Sequence, residues 1–181
     1  VRQRKVIGIA AYKPPHSPGE EEAYVFDYVG MLGLPLMPCH EFPSEAQAAF
    51  FSIHALKDPL FMERFDRLVR TGVPILMTDG LARRLANKFS PRSDNVQVLQ
   101  LAGKPTAALE LPLPELDRLR QRLLQPFGVS FSAPAEVGLW LFEDGSWVIQ
   151  NFRDEAVRVS LNGAEIQMGA RSWRYRWASA A

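Results

Sequence analysis

Cysteine is almost absent from this 181-residue chain: Cys39 is the single one, and the three histidines, His16, His40 and His54, all lie in its first third. One cysteine excludes an internal disulfide framework and leaves the compartment open. An excess of charge of one sign is also missing, since 21 Lys and Arg stand against 20 Asp and Glu. Such a balance argues against a nucleic-acid partner, which would want a basic excess or stripe. The basic opening VRQRK is short enough to read as a frayed terminus. No apolar run reaches the length of a membrane span, and no signal-peptide pattern is present. There is no internal repeat and no low-complexity segment. No glycine-rich loop follows the first apolar run. The stiff Lys13-Pro14-Pro15-His16 segment stands there, with few free N–H groups, and this excludes a phosphate cradle.

What is present is 47% hydrophobic sequence, enough for one sizeable core, or one core and a small satellite. Lys5 to Ala11 predicts a buried first strand. Glu20-Glu21-Glu22 suits a helix start, where carboxylates complement the dipole, and the helix should continue from Ala23 to Leu32 with Gly33 closing it. Leu34 to Pro38 and Phe50 to His54 predict the second and third strands. Pro59 to Arg70 is amphipathic, with Leu60, Phe61, Phe65, Leu68 and Val69 on one face. Val73 to Met77 predicts a fourth strand, and Asn95 to Leu101 alternates as an exposed or edge strand. This alternation implies an α/β fold with a parallel sheet and right-handed crossovers. Leu113 to Phe127 predicts a further helix, with Pro114 in its first turn.

Beyond residue 135 the pattern changes to short β runs: Val137 to Phe142, Trp147 to Phe152, Val157 to Leu161, Ala164 to Met168 and Ser172 to Trp177. Asp144-Gly145 and Asn162-Gly163 between them are hairpin signals. The expected organisation is an α/β domain over 1–112, a helix and linker over 113–134, and a small antiparallel β domain over 135–181. About 45 residues rarely hold together alone, so that unit should pack against the α/β part or against other partners. Trp173, Tyr175 and Trp177 share one strand face. A stripe of this kind could stack on sugar rings, but the burial value of aromatics favours a sandwich core or its docking face. Trp140 and Trp147 flank a hairpin and invite the same reading.

Thr71 to Leu85, TGVPILMTDGLARRL, reads as a strand, a tight Thr78-Asp79-Gly80 turn and a helix. That frame carries a nucleophile in many α/β enzymes, but Asp79 stands where Ser or Cys would. Ligands of open parallel sheets bind beyond the carboxyl ends of the strands. That rule gathers Tyr12, His16, His40, His54 and Asp79 as candidate ligand-binding residues, with Cys39, Ser52 and Thr78 beside them. His16, His40, His54 and Asp79 have ligand types suited to zinc. No close ligand pair supports that, so no metal and no cofactor is expected. Asp79, Cys39 and His54 are the weak catalytic candidates. Adjacent residues of an extended chain point oppositely, so Cys39 and His40 should not form a dyad. Asp79 can equally form the turn and cap its helix.

On the TGVPILMTDGLARRL, GMLGLPLMPCHEFP and FFSIHALKDPLF segments, the first 110 residues resemble the class I glutamine-amidotransferase-like domain. The nearest variant is the degenerate form in multidomain bacterial glycoside hydrolases, similar to the β-galactosidase trimerisation domain. The WLFEDGSWVIQNFRDEAVRVSLNG tail is similar to the small β domain that ends such enzymes. The resemblance implies a flavodoxin-like parallel sheet with helices on both faces, followed by a small antiparallel β-sandwich unit. The family's elbow Cys and downstream His-x-Glu are absent, which argues against glutaminase activity. A non-catalytic accessory or assembly region of a larger carbohydrate-active protein is therefore expected, with sugar binding at the sheet edge, or hydrolysis by Asp79 or Cys39, as the alternatives. The chain begins at Val1 without methionine and is read as a piece of a longer protein. Implied partners are upstream domains, a second copy of the chain and carbohydrate, with no nucleic acid and no membrane. A glycoside-hydrolase parent implies a secreted or periplasmic setting.

Overall fold

A computed structural model describes residues 4–86 and 93–178. Two short strands open the chain, β1 (Val6–Ile7) and β2 (Ile9–Tyr12). There follow α1 (Val25–Gly30), β3 (Leu36–Cys39), β4 (Ala49–Phe51), α2 (Phe61–Arg70), β5 (Ile75–Thr78), α3 (Asp79–Leu85), β6 (Val96–Leu99) and α4 (Leu113–Leu124). The rest is β7 (Phe131–Ser132), β8 (Val137–Phe142), β9 (Trp147–Asn151), β10 (Val157–Leu161), β11 (Ala164–Met168) and β12 (Trp173–Arg176).

The five-stranded sheet runs in the order β3-β2-β4-β5-β6 with every pair parallel. Counting only its own strands, that is the 2-1-3-4-5 order of a flavodoxin-like sheet. Its strands read as nearly continuous apolar runs because both faces are covered. Phe51, Ile75 and Met77 pack under α2 and α3 on one face. Ile9, Ala11, Phe50 and Leu76 face α1 and α4 on the other. β6 is one of the two edge strands, as its alternation predicts, and β3 is the other.

The C-terminal strands form two antiparallel sheets, β1-β8-β9-β12 and β11-β10-β7. Their buried residues, among them Val137, Leu139, Ile149, Val159 and Met168, belong to the same core as Ile9, Val29 and Leu116, so the β unit shares an apolar interior with the α/β part. Asn162 and Gly163 both take positive φ, 50° and 78°, which closes the β10–β11 hairpin in the manner the Asn-Gly pair predicts.

Several expectations need correction. The single first strand is two strands: Val6–Ile7 pairs antiparallel with β8, and Ile9–Tyr12 enters the parallel sheet. The chain changes sheets at Gly8, where a Cβ would lie 2.1 Å from the Pro35 carbonyl oxygen. Arg4 and Lys5 are not frayed: Arg4 pairs with Asp144 and donates to Ser146, and Lys5 pairs with Glu143. Residues 1–3 of the basic opening lie outside the described residues. The helix expected from Glu20 to Leu32 is interrupted at Tyr24, whose φ is 64°, leaving a 3₁₀ turn over Glu20–Glu22 and the short α1. The third strand stops at Phe51, and His54 sits in a 3₁₀ turn over Ile53–Lys57. Leu34 to Pro38 shifts to Leu36–Cys39.

Arg120 of α4 joins the two parts. It is fully buried and donates to the Leu32 and Ala133 carbonyl oxygens and to Asp117 at 3.0 Å, while its guanidinium lies 5.2 Å from the Phe131 ring. Burial pulls its pKa down to about 10, against the charge of Asp117.

Candidate functional site

In the 2-1-3-4-5 order the direction of strand addition reverses between β2 and β4, and the carboxyl ends of those strands define the expected crevice. Tyr12 ends β2, Ser52 and His54 follow β4, and Thr78 ends β5 with Asp79 opening α3. All five are buried. The sequence also hides a sixth member. Glu22, from the Glu20–Glu22 turn, is 1% exposed and lies across these strand ends. One of its oxygens accepts from the Ile53 N–H and the Thr78 hydroxyl, each at 2.9 Å. The other has no hydrogen-bond partner among the described residues and stands 2.1 Å from where a Cβ on Gly80 would be. Burial holds the Glu22 carboxyl above the usual range, despite those two donors. Glu20 and Glu21 both pair with Arg84 of α3, so the turn is pinned over the elbow from outside.

The elbow itself differs from its sequence reading. Thr78, rather than Asp79, caps α3: its hydroxyl accepts from the Leu81 N–H at 3.3 Å. Asp79 is the first helical residue and ties down the loop after β6. Its carboxylate accepts from the Leu101 and Ala102 N–H groups at 3.0 and 3.1 Å and pairs with Arg83. Burial opposes its charge, but those donors hold the carboxyl below the ordinary aspartate value. A carboxylate occupied in this way is a poor nucleophile or base.

His54 lies 2.9 Å through Nδ1 from the Ser52 hydroxyl and packs edge-on against Phe26 at 5.2 Å. Burial, with the Lys13 charge added, pushes its pKa down to about 4, so the ring is neutral at pH 7. Tyr12 donates to Asp58 at 3.0 Å, and burial with that bond pushes its phenol up to about 12. The remaining candidates do not join this group. His16 and His40 are exposed, and among the described residues His40 meets only its neighbour Glu41, at 4.0 Å. Cys39 is half-buried and lines an open cavity of about 710 Å³ with Phe42, Glu45 and Phe127. Burial pushes its thiol up, away from the reactive thiolate. Among the described residues no group of three His, Cys, Asp or Glu is placed to hold a metal ion.

Another surface has the opposite character. Trp173 and Tyr175 stand on the solvent side of β12, 56% and 61% exposed, and Trp177 follows at 37%. Trp173 stacks on Trp140 of β8, with centroids 6.0 Å apart. Of the two expectations for this stripe, sandwich core or docking face, the core is therefore overturned. The inner face of the sheet, carrying Leu139, Trp147 and Ile149, is the one that packs inward.

The family model described as "Uncharacterized protein SSO3021, second domain" matches residues 5–104. No curated protein and no solved structure matches the chain.

Proposed function

The chain belongs to the family described as uncharacterized protein SSO3021, second domain, and from that premise we propose that it is a non-catalytic accessory region of a larger carbohydrate-active protein. The observation that carries this reading is the state of Asp79. Asp79, the acidic residue of the elbow segment itself, has both oxygens engaged by the Leu101 and Ala102 N–H groups and by Arg83. The Glu20–Glu22 turn, latched to Arg84, covers the strand ends where a substrate would have to enter. His54 stands within hydrogen-bond reach of the Ser52 hydroxyl, but both side chains are buried away from a substrate, and Cys39 lines a separate cavity. The family's description as a second domain supports a region that acts beside other domains. The resemblance to degenerate amidotransferase-like domains of glycoside hydrolases supplies the carbohydrate context, and it remains part of the proposal.

A hydrolysis screen tests the reading directly. Glutamine, aryl esters and aryl glycosides are offered to the wild-type chain and to Asp79→Asn and Cys39→Ser. Absent turnover supports an accessory role, whereas turnover that survives both substitutions overturns it and removes Asp79 and Cys39 as its source. Turnover that either substitution abolishes while the circular dichroism spectrum stays native overturns it.

A further inference from the structure

The solvent face of the β1-β8-β9-β12 sheet leaves large aromatic side chains uncovered. Register places Tyr175 opposite Val148 and Trp173 opposite Gln150, so these side chains share one face with Trp140. None of these strand residues is charged. Arg4 lies 5.4 Å from the Trp177 ring at the border of the face, but Asp144 neutralises it. Trp173 and Trp140 lie within 26° of parallel, and Tyr175 meets Trp177 at 5.3 Å. Among the described residues the indole N–H groups of Trp140, Trp173 and Trp177 and the Tyr175 hydroxyl make no hydrogen bond within the chain. Beside Trp140 the face runs into a groove of about 350 Å³ lined by Phe26, Met31, Leu36, Phe152 and Asp27. The Asp27 carboxylate is exposed and forms no hydrogen bond or ion pair among the described residues.

Area and charge narrow the occupant. Four partly exposed rings leave roughly 400 Å² of aromatic surface. A stable protein interface buries about 800 Å² per partner, twice as much. Edge-to-edge addition of a second copy at β12, with the aromatic face kept on one side, would set Arg174 against Arg176. Like charges directly opposite disfavour that pairing. Among the described residues an anionic polymer finds no unpaired cation on the aromatic face itself. The chemistry that remains is uncharged, flat-sided and rich in hydroxyls. The C–H faces of a sugar ring meet the negative faces of aromatic rings, while free N–H, O–H and carboxylate groups satisfy its hydroxyls.

We propose that this face binds a neutral polysaccharide chain by ring stacking. The inference concerns a surface other than the strand ends, so its failure would leave the accessory reading standing. The test is retention of the purified chain on microcrystalline cellulose and on insoluble xylan in 1 M NaCl. Retention is expected on at least one, with Trp173→Ala and Tyr175→Ala each weakening it about tenfold. Arg174→Ala, on the other face of the same strand, should leave it unchanged. Because Trp173 and Tyr175 are exposed, both variants should keep the native spectrum. No retention on either glycan overturns the proposal, as does retention that salt abolishes or that both aromatic variants preserve. Concentration-dependent self-association of the wild type, lost in Trp173→Ala, would assign the face to a second copy and also overturn it.

Discussion

The two ends of this molecule's polar and aromatic inventory contrast in how much of it is free. At the carboxyl edge of the parallel sheet, Glu22, Ser52, His54, Thr78 and Asp79 are buried, and nearly every polar atom has a partner inside the chain. On the outer face of the antiparallel sheet, Trp173 and Tyr175 are more than half exposed, and among the described residues their polar tips have no partner. In sequence the strand-end region suggests a site because it gathers titratable residues. The β12 stripe suggests a sandwich core or its docking face because it gathers aromatics. Burial engages most of the first set inside the chain, and exposure rules out a core role for the second. Side chains that have already satisfied one another have little left to offer a ligand, whereas exposed amphipathic rings still have contact area to give.

The contrast breaks most readily at the seam between the regions. Arg120→Leu should destabilise the fold by about 3–5 kcal/mol, because it removes a buried cation and strands the carbonyls of Leu32 and Ala133. Urea unfolding should show this as a lower midpoint, with Arg120→Lys in between.

A smaller loss is expected within the crowded edge. Gly80→Ala would improve helix propensity by about 1 kcal/mol, but the new methyl meets the Glu22 carboxylate and Ile53. The clash should win, for a net cost of about 2 kcal/mol. Combining it with Glu22→Ala should recover part of that loss, and a double-mutant cycle measures how much. Additive effects would show that Glu22 does not fill the elbow.

The edge should also respond to acid. Neutral His54 contributes stability that is complete above its ordinary pKa of 6.5 and lost as pH falls toward about 4. Protonation of the ring should therefore cost about 2 kcal/mol across that window. His54→Gln should flatten the Tm-against-pH curve there. Glu22 acts in the opposite sense. Its raised pKa gives stability that is present below 4.5 and lost as pH rises through the folded value. Glu22→Gln should consequently raise Tm more at pH 7 than at pH 4. The smallest effect belongs to the other region: Trp173→Ala and Tyr175→Ala should each change stability by less than about 1 kcal/mol. A larger loss would mean the stripe is part of the core after all.

The parallel sheet was largely legible, because apolar runs, helix faces and Gly-limited turns agree locally and the strand order follows from them. The division of the first strand was not, since the break at Gly8 answers to Pro35, far along the chain. Three consecutive glutamates read naturally as a solvated helix start. Nothing local announces that Glu22 turns inward while its neighbours pair with Arg84. Asp79 and Thr78 exchanged roles because either can cap a helix, and the choice was made by the loop at Leu101. The alternation of Trp173 to Trp177 was readable, but which side would be covered depends on the other sheet.

One feature governs the order in which the chain can be completed during synthesis. β1 finds its partner only in β8: Lys5 reaches Glu143 across 138 steps of sequence. At roughly 5–20 residues per second, the first strand waits on the order of 10 s for the ribosome to deliver its mate. Until then its apolar residues have only transient neighbours. Pairing of such high contact order is slow to nucleate. The last step of folding should thus be closure of the N-terminus onto the C-terminal sheet, with Arg4 fastened at Ser146 as the final tie.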